Sequence, residues 1–139
     1  MIKYTEINVG DWVRVNDVEY PMPLMVNEIV RLGVQYYLRL GRDDDATIFL
    51  ECVIEKVLPV PLTDAILLKN NFEKVDEETF MYYDDQMRNV MICTHSSLED
   101  PLPIAEIACG ITTISRVPVP HVHILQRELK DKVHLDIRI

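Results

Sequence analysis

Apolar and polar residues alternate through most of the first sixty positions. Trp12-Val13-Arg14-Val15 alternates directly after the turn-forming pair Gly10-Asp11. Val26 to Leu32 is apolar with breaks and stops at Gly33. Val34, Tyr36, Leu38 and Leu40 then share one face, with Gln35, Tyr37 and Arg39 on the other, the period of two that marks a half-buried strand. Gly41-Arg42-Asp43-Asp44-Asp45 is a polar hairpin loop, after which Ile48, Leu50 and Cys52 alternate against Thr47, Phe49 and Glu51. Val53-Ile54 and Val57-Leu58 have the one-turn spacing of a short helix. Short strands at this density cannot leave long edges open, so residues 1–58 are expected to form a small antiparallel β-barrel of the Tudor or KOW type.

The second part, residues 59–139, changes pattern. Four Pro-x-Pro pairs (Pro21/Pro23, Pro59/Pro61, Pro101/Pro103 and Pro118/Pro120) punctuate the chain, and each is expected to end or edge an element. Thr63 is a good N-cap for a helix over about 63–70, with Asp64 in its first turn and Lys69 in its last. Asn71 suits the left-handed residue that closes such a helix. Two hairpins follow, over 79–94 around Asp84-Asp85-Gln86-Met87 and over 104–117 around Cys109-Gly110. Val122, Leu125 and Leu129 form one apolar stripe on a helix over about 119–131. The alternation His134-Leu135-Asp136-Ile137-Arg138-Ile139 predicts a final strand over 133–139. The fold class is therefore α+β.

Composition narrows the possible chemistry. The 139 residues carry a net charge of −9, spread over both parts, so no segment has the basic footprint of a general nucleic-acid binder. Docking to an anionic membrane is disfavoured for the same reason. No apolar run approaches the ~18 residues of a membrane span, and the start Met1-Ile2-Lys3-Tyr4-Thr5-Glu6 holds no signal core, so a soluble cytoplasmic protein is expected. The three cysteines, Cys52, Cys93 and Cys109, are odd in number and contain no CxxC, which fits small core residues better than a disulfide framework or a zinc site.

Two segments resemble an uncharacterised family of small proteins from gut Bacteroidetes and their phages and mobile elements. Pro59-Val60-Pro61-Leu62-Thr63, with Ile66-Leu67 and Asn70-Asn71-Phe72, is similar to that family's "PIPLT..iL.k.GF" segment. Val122-His123-Ile124-Leu125-Gln126 is similar to its "VHxLQ" helix. Asn71 stands where the family has glycine, and Arg127 where it has asparagine. The resemblance implies an architecture and a phage or mobile-element origin; it implies no activity.

Each candidate for chemistry meets a plainer reading. On one helix His121 and His123 would point about 200° apart, which is wrong for a shared metal. Asp43-Asp44-Asp45 and Asp84-Asp85 lack the spacing of a calcium loop and are expected to be solvated. Cys93 and His95 can share a strand face at ~7 Å, but an acidic chain does not favour a thiolate. No P-loop, GxSxG, HExxH or GxGxxG occurs, so no catalytic residue, metal or cofactor is assigned. Strand alternation does place Trp12, Tyr37 and Phe49 opposite the core-facing Val13, Leu38 and Leu50. Either the C-terminal module covers these aromatics, or they form a surface for a protein partner or for self-association. The leading expectation is a non-enzymatic binding or adaptor protein. A specific nucleic-acid or nucleoprotein factor and an enzyme of another type are the alternatives.

Overall fold

The computed structural model describes residues 2–42, 45–84, 86, 88–94 and 103–139. The chain divides into two compact units, Met1–Val60 and Pro61–Ile139. Each is built on an antiparallel five-stranded sheet, and the two α-helices among the described residues are both in the second unit. No helix among the described residues is long and apolar enough to cross a membrane.

The N-terminal sheet runs β4-β3-β2-β1-β5. Its strands are β1 (Trp12–Val15), β2 (Leu24–Leu32), β3 (Gln35–Arg42), β4 (Asp45–Val53) and β5 (Val57–Pro59). A 3-10 turn over Ile54–Lys56 joins β4 to β5 and takes up the one-turn spacing of that stretch. The first and last strands of this order, β4 and β5, are not paired with each other, so the sheet is not closed by hydrogen bonds as a barrel would be.

Period-two patterning built this core. Val13, Val15, Leu24, Val26, Leu38, Leu40 and Val57 are buried together with Ile2, Ile7 and Ile54. Tyr36, Leu50 and Cys52 pack against the cluster from the same faces. Val34, expected on the inner face, is instead exposed at 94%. It belongs to the two-residue turn Gly33-Val34 between Leu32 and Gln35. Gly33 takes φ 65° and Val34 stays at negative φ, the type II′ pattern that needs glycine in first place. Gly110-Ile111 repeats this arrangement between Cys109 and Thr112.

The C-terminal sheet runs β10-β9-β8-β7-β6. Its strands are β6 (Glu73–Lys74), β7 (Thr79–Tyr83), β8 (Arg88–Cys93), β9 (Ile104–Cys109) and β10 (Thr112–Pro118). Phe80, Ile92 and Ala105 lie side by side across three strands, as do Tyr82, Val90 and Ile107, and all but Tyr82 are fully buried. Helix α1 (Asp64–Lys69) is N-capped by Thr63, whose hydroxyl accepts from the Ile66 amide. Helix α2 (Val122–Val133) buries Val122, Leu125, Leu129 and Val133 on one stripe. Ser115 donates to Glu128 at 2.9 Å and Arg88 to the Lys132 carbonyl at 2.8 Å, tying α2 to the strands.

Two expectations are corrected here. The second helix starts at Val122, not at 119. Pro61 bridges His121, and the Leu62 amide donates to the Pro120 carbonyl, so this stretch is held extended. The strand expected over 133–139 does not form. His134 closes α2 in the left-handed conformation at φ 54°, and the Leu135 amide turns back to the Leu129 carbonyl. The tail that follows is held by a side chain instead of a strand. Asn70, buried at the end of α1, donates to the Arg138 carbonyl and accepts from its amide, both at 2.7 Å.

Candidate interaction face

β3 lies between β2 and β4, so its outward side chains have a neighbour on both sides. Tyr37 sits opposite Val30 on β2 and Val53 on β4. All three are half-buried and form an apolar row across the sheet. The next outward row is charged: Arg39 opposite Glu28 and Glu51. The Arg39 guanidinium donates to Glu28 at 2.9 Å and to Glu51 at 3.2 Å. Those contacts, Glu51 first, hold its pKa above the ordinary arginine value. On the other side of the apolar row Gln35 donates to Glu55 at 2.7 Å, and Leu32, opposite Gln35, is exposed at 60%.

A β-bulge produces this register. Val26 pairs with Leu40, yet Glu28, two residues on, pairs with Arg39. The extra residue, Asn27, resets the alternation, so that Val26 and Ile29 both face the core while Glu28 and Val30 face outward. The three-residue spacing of Val26 and Ile29 is the signal in the sequence that could have located it.

The structure treats the three aromatics differently. Tyr37 faces outward as expected. Trp12 is only 6% exposed, so it offers no open surface, although it is absent from the N-terminal core cluster. Alternation fixes which side Trp12 takes relative to Val13, but not whether that side is covered. Trp12 and Tyr37 are also far apart in register. Trp12 pairs with Met25 and Met25 with Gly41, four residues from Tyr37, or about 13 Å along β3. Phe49 lies within β4, and its side chain is outside the described residues.

An open cleft of about 330 Å³ in the same unit is lined by Val15, Asn16, Asp17, Leu50, Glu51, Cys52, Glu55, Lys56 and Leu58. Burial pushes the Cys52 thiol above its ordinary pKa, while the nearby Lys56 charge pulls the other way. That favours the neutral thiol over a nucleophilic thiolate.

In the second unit the histidine pair departs from expectation. His121 is the N-cap of α2, with extended backbone at φ −130°, so it is not a helical neighbour of His123. The rings stack at 5.8 Å and 8° instead of pointing apart, and His123 is 2% exposed. Among the described residues no group of three or more His, Cys, Asp or Glu side chains is placed to hold a metal ion. Cys93 is half-buried on β8; His95, its candidate partner, lies outside the described residues, as do Asp43, Asp44 and Asp85. Comparison of the chain with protein-family models, with curated proteins and with solved structures finds no match.

Proposed function

We propose that this chain is a non-enzymatic binding or adaptor protein that docks a protein partner on the outer face of its N-terminal sheet. The Val30–Tyr37–Val53 row carries the reading. It is an outward apolar strip centred on β3, which is paired on both sides, so the backbone that presents Tyr37 is already ordered and little ordering cost opposes its use. Tyrosine is a common anchor in such contacts because it buries much area with few rotatable bonds. Glu28 and Glu51 bracket a single arginine, and Glu55 lies on the other side, so a basic partner surface is the natural complement. The same acidic surround favours a protein over nucleic acid, since Arg39 is already committed to two carboxylates. The similarity of its two motifs to a phage and mobile-element family supplies the setting we assign to it, and a small-barrel kinship of the five-stranded N-terminal sheet belongs to the same proposal. The test is a photo-crosslinking amino acid placed at Tyr37 and, as a control, at the fully exposed Val18. In cells that express the chain, adducts should form from position 37, not from 18, and should disappear when Val30→Asp is added. Equal labelling from both positions, or adducts indifferent to Val30→Asp, would refute the assignment.

A further inference from the structure

We draw no further inference here: the strongest candidate, the open cleft of about 330 Å³ formed by the end of β1, β4, the 3-10 turn and β5 in the N-terminal unit, carries nothing, because Glu51, Glu55 and Asp17 are already held by Arg39, Gln35 and the Glu19 amide, and an acidic rim around one cysteine points to no particular ligand.

Discussion

Asn70 joins the end of α1 to the last residues of the chain, and Asn70→Ala tests how far that tail depends on one amide. The side chain makes three hydrogen bonds: its nitrogen donates to the carbonyls of Ile66 and Arg138, and its oxygen accepts from the Arg138 amide, each at 2.7 Å. At about 1 kcal/mol net per bond the loss approaches 3 kcal/mol. Water reaching the exposed side of Arg138 returns part of that, so about 2–3 kcal/mol is expected. For a unit of this size the melting temperature should fall on the order of 10–20 °C if it unfolds alone. Urea titration followed by circular dichroism should show a lower midpoint with an unchanged slope. A shortened chain ending at His134 separates the clamp from local capping. There Asn70→Ala loses only the Ile66 bond, so the double-mutant cycle should show coupling of about 2 kcal/mol, the two bonds to Arg138. Asn70→Asp adds a check of sign. At neutral pH it faces a carboxylate with two carbonyl oxygens, which raises its pKa in the folded state. The penalty should therefore shrink as the pH falls through that raised pKa and a proton becomes available to donate. A cost below about 0.5 kcal/mol for Asn70→Ala, or the same cost with and without the tail, would refute the clamp.

Three further outcomes are expected. Leu38→Ala, at a fully buried position of β3, should cost about 2–5 kcal/mol in a denaturant titration, whereas a loss under 1 kcal/mol would mean the N-terminal core is elsewhere. Asn71 sits at φ 68°, so Asn71→Gly should leave stability within a few tenths of a kcal/mol or raise it, and Asn71→Val should lower it by about 1–2 kcal/mol; equal effects of the two would deny a left-handed cap. Cys52 should alkylate more slowly than the exposed Cys109 at pH 8, and its rate should keep rising with pH beyond the usual thiol range because the neutral form persists; peptide mapping after brief iodoacetamide treatment reads both, and a faster Cys52 would contradict its burial.

Much of the N-terminal sheet was legible because burial on one face imposes a period of two, and Val13, Val15, Leu38 and Leu40 obey it. Hairpin ends were legible where glycine must take positive φ, at Gly33 and Gly110. The C-terminal tail departs from its strand-like pattern for a physical reason. His134 to Ile139 alternates like a strand, but alternation only requires extended backbone with one buried side; Ile137 is buried, and among the described residues this stretch joins neither sheet. A side-chain amide supplies the two backbone partners a neighbouring strand would give, and nothing local to residues 134–139 announces that Asn70 will be there.

The candidate face shows the same limit from the other direction. Alternation assigned Trp12 and Tyr37 alike to the side away from the core residues Val13 and Leu38. Yet one is almost wholly buried and the other half open. A strand pattern orders residues along one chain segment, whereas coverage depends on what folds over that side. The position of Tyr37 within a usable face depends on register as well. It needs Val30 and Val53 opposite it, and the bulge at Asn27 sets the Val30 contact. Deleting Asn27 would leave Val26 inward, Glu28 outward and Ile29 inward in plain alternation, so the Val26–Leu40 and Glu28–Arg39 pairs and both faces of β2 should survive without the bulge. The bulge therefore absorbs one extra residue, so that Val26 and Ile29 stay with the core while Glu28 and Val30 stay beside Arg39 and Tyr37; inserting one further residue there, not removing Asn27, is the change that would turn one stretch of β2 over and break the core and the outward face together.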